Sequence, residues 1–279
     1  MPWQTLKLGW LLFRKNFEVV LQPSSTRLLI TDGLAALTAA WQIIGFESDN
    51  EGIAARYKNK TDTFYTQMLL LPAACYFEFD RSRFFFESVL AQHIELNGPS
   101  FSINNPDKEG IVIFPGAGVF KRSWEADKFL ALIKQLMQHT QQTIYLAGGP
   151  GEEEAGRYLM TNLSVGNITN LINKTSLPQL IELIAGASLV IGNETSAIHI
   201  AAAVKTKAVC ILGGGHFGRF APYPAYINNA PLCVYQKMEC FNCNWECIYQ
   251  TAKQAPFPCI ANVIIDEVAT TALQQLAAI

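Results

Sequence analysis

The sequence predicts an α/β protein built on parallel sheet, and three observations predict it. From residue 110 onward, short β-rich apolar runs alternate with longer segments of helical period. The runs are apolar throughout rather than at every second residue, as strands covered on both faces must be. Three of them, "GIVIFPGAG", "TIYLAGG" and "KAVCILGGG", end in glycines, at the strand ends where open parallel sheets bind ligands.

The elements follow in order. A helix is expected over residues 5–15 and a strand over "FEVVLQP", residues 17–23. "LLITDGLAALTAAWQIIGF", residues 28–46, is long enough to span a bilayer, but Asp32 and Gly33 interrupt it. A carboxylate in hydrocarbon costs about 2.5–3.5 kcal/mol, so the stretch is read as a buried helix leading into a short strand. "ESDNEGIAARYKNKTD" is polar and reads as loop, and "SRFFFESVLAQHIEL" as helix. "EADKFLALIKQLMQHT", "EEEAGRYLMTNL" and "SLPQLIELIAGA" are helices, the last capped by Ser176 with Pro178 in its first turn. Between them "NITNLI" and "SLVIG" are strands. "IIDEVATTALQQLAAI" closes the chain as an amphipathic helix packed back onto one of the domains, with the first domain a candidate.

"NGPSFSINNPDKEG" is the best linker, which divides the chain into residues 1–104 and 105–279. With 279 residues, half of them apolar, both parts can bury a core. A formal net charge of -2 leaves no field to draw the whole chain to nucleic acid, so any basic site is local. The opening "MPWQTLKLGWLLFRKN" lacks the apolar core and small-residue cleavage site of a secretory signal. A cytoplasmic location is the default expectation.

Two stretches carry candidate chemistry. In "GNETSAIHIAAAV" a strand ends at Ile191 and a helix starts near Ser196, so Asn193, Glu194 and Thr195 lie where unpaired N–H groups and the helix dipole favour an anion. Thr195 or Ser196 could equally do no more than cap that helix. His199 lies one turn in, near the same mouth; alone, it reads as a core histidine. In "FPGAGVFKRSWEADKF", Lys121 and Arg122 follow a glycine loop and precede a helix. Paired cations there could hold a pyrophosphate and stabilise it as a leaving group; alone they read as two solvated charges. Any one glycine loop likewise reads as a tight turn.

Taken together, "FPGAGVFKRSWEADKF", "YLAGGPGEEE", "NKTSLPQLIELIAGASLVIGNETSAIHIAAAVKTKAVCILGGGHFGRFAPYP" and "CFNCNWEC…PCI" resemble glycosyltransferase family 9, the lipopolysaccharide heptosyltransferases and relatives. The resemblance is close over residues 110–265 and looser over 5–100. It implies a GT-B fold: two Rossmann-like domains with parallel sheets, the first an acceptor-side domain and the second holding a nucleotide-diphosphate sugar. It also implies inverting transfer with no cofactor or catalytic metal. Arg122, two residues before Trp124, stands where many members have a phosphate-contacting lysine, and Lys121 is an equal substitute. Glu194 matches the usual donor-contacting aspartate, Thr195 the hydroxyl residue after it, Ser196 a usual glycine and His199 the family histidine. With Gly116, Gly148, Gly149, Gly213 and Gly214 these form the expected donor site.

Three departures stand out. Glu for Asp lengthens one side chain, and Ser for Gly adds bulk where phosphate should approach an amide. Members also begin with a strand and a Gly-Asp loop whose aspartate is thought to act as base. No Gly-Asp occurs in this chain, so the N-terminal domain is expected to be incomplete, and no catalytic residue can be named. The expected activity is transfer of a heptose or related sugar to a lipid-linked or lipopolysaccharide-core acceptor, with peripheral contact at the inner membrane. The alternatives are a nucleotide-sugar-binding relative that has lost the base and a GT-B nucleotide-sugar epimerase.

Cys240, Cys243, Cys247 and Cys259 are spaced C-x2-C-x3-C-x11-C. Reduced packing cysteines or a disulfide are the favoured reading, and a closed four-thiolate zinc site the lesser one. Cys75, Cys210 and Cys233 sit among apolar neighbours and read as core.

Overall fold

The structure, a computed structural model, describes residues 2–50, 54–103, 108–163 and 167–277. The chain forms two compact units, Met1–Leu96 and Asn97–Ile279. The boundary expected at 104/105 falls within 104–107, outside the described residues, as do 51–53 of the expected loop.

The first unit runs α1 (Pro2–Phe13), β1 (Val19–Gln22), α2 (Leu29–Leu37), β2 (Gln42–Phe46), α3 (Ala55–Lys58), β3 (Gln67–Leu69) and α4 (Glu78–Leu90). Its three strands form a parallel sheet in the order β1-β2-β3, with Val20 opposite Ile43 and Ile44 opposite Gln67. Three expectations need correction. α2 is not a buried helix: Leu29, Ile30 and Leu37 stay exposed. The segment read as loop contains α3. The helix expected to reach Leu96 stops at Leu90, because Ala91 adopts a left-handed φ of 49° and Glu87 accepts the Ile94 N–H at 2.9 Å.

What α2 does bury is Asp32, and that answers why an acid interrupts an apolar stretch. Arg27, fully buried, donates to Asp32 at 2.9 and 3.2 Å, to Asp62 at 2.7 Å and to the Phe46 carbonyl at 2.9 Å. Tyr65 donates to Asp32 at 2.7 Å, and Thr61 donates to it as well. Burial works against the Asp32 carboxylate, but Arg27, Thr61 and Tyr65 outweigh it and hold its pKa below the ordinary range. The network ties α2, the end of β2 and the segment before β3 together.

The second unit runs β4 (Ile111–Phe114), α5 (Ala126–His139), β5 (Ile144–Leu146), α6 (Glu153–Asn162), β6 (Ile168–Asn170), α7 (Leu177–Gly186), β7 (Leu189–Asn193), α8 (Ser196–Ala203), β8 (Ala208–Ile211), β9 (Leu232–Val234), α9 (Pro258–Ala261) and α10 (Ile265–Ala277). The capping box at Ser176 and Gln179, with proline in the first turn, starts α7 where the sequence places it. All six strands are parallel, in the order β6-β5-β4-β7-β8-β9. Both faces are covered. Ile111 and Ile113 of β4 pack into a layer with Phe129, Leu132 and Leu136 of α5, while Val112 and Phe114 pack into the other with Ala197 and Ile198 of α8. The last helix, α10, packs within this second unit, against α5 and strands β7 to β9. This strand order reverses between β4 and β7, so a crevice opens beyond their carboxyl ends.

Replacing Asp32 by Asn removes the main partner of a buried guanidinium. The first unit should lose about 3 kcal/mol of stability at pH 7, read by urea unfolding. Because the folded pKa of Asp32 is depressed, that contribution is present above about pH 4 and fades as pH falls through the folded value. The gap between wild type and Asp32→Asn should therefore narrow in acid.

Candidate functional site

The crevice between β4 and β7 is closed at its base by one side chain. Asn193, the last residue of β7, is fully buried. Its Oδ1 accepts the Trp124 N–H at 2.8 Å, and its Nδ2 donates to the carbonyls of Pro115 at 3.2 Å and Gly116 at 3.0 Å. The segment leaving β4, which makes a 3-10 turn over Phe120–Arg122 and re-enters the core at Trp124, is thereby fixed to the start of α8.

Arg122 comes from that turn. Its guanidinium lies over the Trp245 ring at 4.4 Å, and its buried Nε has no hydrogen-bond partner. Burial lowers its pKa, and the charge of Glu194 acts in the opposite direction. Glu194 has the complementary problem. Burial pushes its pKa up to about 7 although Arg122 pulls it down. Among the described residues no ion pair forms between them, and no hydrogen bond reaches the Glu194 carboxylate. Thr195 is the N-cap of α8 by backbone geometry, yet its side chain makes no cap bond and its Oγ1 is buried without a partner. Simple helix capping therefore does not explain Thr195. Ser196 follows at the exposed first turn. Three polar groups without hydrogen-bond partners thus meet at one helix entrance, where α8 adds its free N–H groups.

His199 lies further along α8. Its Nδ1 is 2.8 Å from the Tyr223 hydroxyl, and the two rings stack with centroids 5.8 Å apart. Burial lowers the His199 pKa and raises that of Tyr223, which also feels the charges of Cys210, Cys233 and Glu194. His199 thus pairs with Tyr223, whose hydroxyl feels the charge of Glu194.

Lys121 does not join this group. Its Nζ donates to Thr251 Oγ1 at 3.0 Å and lies over the Phe257 ring at 5.5 Å. Of the two cations treated as interchangeable, the structure brings Arg122 to the crevice and turns Lys121 toward the C-terminal segment.

Of the glycines expected at the donor site, all but Gly149 lie close to other parts of the chain; at Gly149 a Cβ would meet nothing within 4 Å. A Cβ at Gly116 or Gly148 would collide with the side chain of Glu152, whose carboxylate accepts the N–H of Gly149 at 3.0 Å and of Gly118 at 3.4 Å. The anion held between these two loops is the chain's own. Gly213 and Gly214 are buried under Trp245, Ile260 and Phe241, which fill the space a side chain would take.

Residues 240–247 supply the platform beneath Arg122. Asn242 and Asn244, with left-handed φ of 67° and 53°, donate their N–H groups to the carbonyls of Gly214 and Gly215. Trp245 Nε1 donates to His216 Nδ1 at 3.2 Å; that nitrogen must be unprotonated, so Nε2 carries the proton and donates to Asn244 Oδ1 at 2.6 Å. Trp245, Tyr223 and the locking role of Asn193 escaped the sequence reading; the sole hint was that "FAPYP" and "CFNCNWEC" share in the family resemblance. The seven cysteines are all free thiols. Cys240, Cys243, Cys247 and Cys259 line one small cavity with Trp245 and Phe257, but among the described residues no group of three His, Cys, Asp or Glu is placed to hold a metal ion.

Parallel α/β units, with polar groups gathered at a topological switch point, define a doubly wound α/β protein with the strand-end crevice of that class. The family model for glycosyltransferase family 9 (heptosyltransferase) matches residues 80–249, more than half of the chain, and the chain belongs to that family. It is 33% identical over 130 residues to lipopolysaccharide heptosyltransferase 3 of Escherichia coli K12, a match covering 46% of this chain and 38% of that protein. It is 32% identical over 133 residues to lipooligosaccharide heptosyltransferase 2 of Campylobacter jejuni, covering 46% and 40%. The matches thus span well under two thirds of these relatives. In fold the chain is similar to E. coli ADP-heptose lps heptosyltransferase II, with a TM-score of 0.71 at 16% identity over 98% of this chain and 81% of that one. It is also similar to E. coli heptosyltransferase WaaC solved with ADP-2-deoxy-2-fluoro heptose, with a TM-score of 0.65 at 16% identity over 99% and 76%.

Glu194 provides a pH test. With its folded pKa raised from 4.5 to about 7, ionising it in place costs stability as pH rises through 7. Glu194→Gln should be on the order of 2–3 kcal/mol more stable than wild type at pH 8 and nearly equal to it at pH 4, measured by denaturant unfolding at both values.

Proposed function

We propose that this chain binds a nucleoside-diphosphate sugar in the β4–β7 crevice and transfers heptose or a related sugar, with inversion, to a lipopolysaccharide-core or other lipid-linked glycan acceptor. The observation that carries the reading is the meeting of Arg122 and Thr195, each with a buried atom lacking a partner, with Glu194 at the entrance of α8. A diphosphate would give Arg122 Nε and the α8 amides the acceptors they lack. As the sugar leaves, negative charge grows on the diphosphate, and a cation fixed in a desolvated site stabilises it without reorganising. Glu194 and Thr195 are then positioned to orient donor hydroxyls, and His199, held by Tyr223, to close that side. The reaction would run on the cytoplasmic side of the inner membrane, with peripheral contact at its surface. Among the described residues no helix is long and apolar enough to cross a membrane.

A binding protein is the alternative reading: a general base must reach the hydroxyl it deprotonates, and no catalytic base is assigned to this crevice. A donor-binding relative without transferase activity would bind nucleotide and leave the sugar in place.

Calorimetric titration with ADP, GDP and UDP tests the site. One of them should bind, and Arg122→Ala should weaken it about ten- to a hundredfold, the loss of one charge-assisted contact. Lys121→Ala should change affinity less than about threefold, and Trp245→Ala should cost about three- to tenfold through its cation–π support of Arg122. Absence of binding by all three at millimolar concentration would overturn the reading. Release or transfer of sugar from the bound donor, followed by NMR, separates the enzyme from the binding relative.

A further inference from the structure

The glycine loop after β8 ends in an imidazole with both nitrogens engaged. His216 Nδ1 accepts the Trp245 Nε1–H at 3.2 Å, and its Nε2–H donates to Asn244 Oδ1 at 2.6 Å. An indole nitrogen can only donate, so Asn244 selects the tautomer and the tautomer supplies the lone pair that Trp245 needs.

Trp245 is held there against its backbone preference. Asn244 and Trp245 are consecutive residues with left-handed φ of 53° and 64°, a conformation that a bulky side chain adopts only where its surroundings impose it. The ring lies against the bare backbone of Gly215, where a Cβ would collide with it, and stacks on Phe257 with centroids 5.9 Å apart. Those contacts are apolar and non-directional; the bond to His216 is directional and selects one orientation of the indole.

The same ring carries the Arg122 guanidinium at 4.4 Å. The buried Nε of that cation has no partner, and among the described residues no carboxylate pairs with it, so the ring is its support. Donating the indole N–H also polarises the ring, which strengthens the hold of its face on a cation.

We infer that His216 is a positioning residue for the donor diphosphate: through Trp245 it sets the place and orientation of Arg122. The inference rests on the nucleotide site proposed above and adds to it a residue that need not touch the ligand.

Affinity for ADP, GDP or UDP, whichever binds the unaltered chain, reads the effect by calorimetry. His216→Leu should weaken binding about three- to tenfold, and less than about twofold when Arg122 is already replaced by Ala. A residue that merely stabilised the fold would cost the same factor in both backgrounds. His216→Asn, whose amide oxygen falls where Nδ1 stands, should recover affinity to within about twofold of the unaltered chain. His216→Gln reaches the Nε2 position, leaves Trp245 without an acceptor and should not recover it. Circular dichroism melting shows whether each variant is folded, and the Asn and Gln pair carries the test if the Leu variant is not. Equal losses with and without Arg122, or equal affinities for the Asn and Gln variants, would overturn the inference. If no nucleotide binds, the transferase reading fails by itself, and proton–nitrogen correlation spectra of the free protein test this one. His216→Gln should then move the Trp245 indole N–H and the Arg122 Nε–H resonances together, and an unmoved Arg122 resonance would overturn it.

Discussion

The buried carboxamide of Asn193 is the constraint on which the candidate site rests. One side chain satisfies a backbone N–H and two backbone carbonyls on a segment that is otherwise free to leave the sheet after Phe114. Each such bond contributes about 0.5–1.5 kcal/mol net, but losing all three would strand three buried backbone groups together. Because Glu194 and Thr195 are the next residues in the chain and Arg122 lies two residues before Trp124, the same contact fixes the cation relative to the helix entrance. A parallel sheet whose order reverses between β4 and β7 creates the crevice; Asn193 decides which side chains stand at its mouth.

The two units treat buried charge in opposite ways. Asp32 accepts from Arg27, Thr61 and Tyr65, and its pKa falls below the ordinary range. Glu194 is also removed from water, accepts nothing, and rises to about 7. Burial is common to both, so the difference lies in donors. The first network is closed and serves to hold three segments together. The second is left open, with Arg122 Nε and Thr195 Oγ1 unpartnered beside the carboxylate. A folded chain tolerates groups in that condition chiefly where something else completes them.

Much of the second unit was legible because its strands are buried on both faces and its helices carry caps and period. β7 and α8 lie where Ile191 and Ser196 place them, and Ser176 with Pro178 starts α7. The first unit was harder. β3 is three residues long and lacks the flanking glycines that mark the equally short β5. The apolar run 28–46 suggested burial, and only the pairing of Asp32 with Arg27, five residues away in sequence, explains why its helix is anchored by a carboxylate while its leucines remain outside. Arg122 and Lys121 were indistinguishable as adjacent cations, since their separation depends on Trp245 and Thr251, more than a hundred residues further on.

The glycines show that one signal admits more than one cause. Glycine at a strand end reports that something comes close to the backbone. It does not report what. At Gly116 and Gly148 the close neighbour is Glu152, and at Gly213 and Gly214 it is the aromatic and aliphatic cover from residues 241, 245 and 260. That cover includes Trp245, the ring that carries Arg122. The glycines after β8 therefore act on the crevice indirectly: by letting Trp245 settle against bare backbone, they set the height at which the guanidinium faces Glu194 and the first turn of α8.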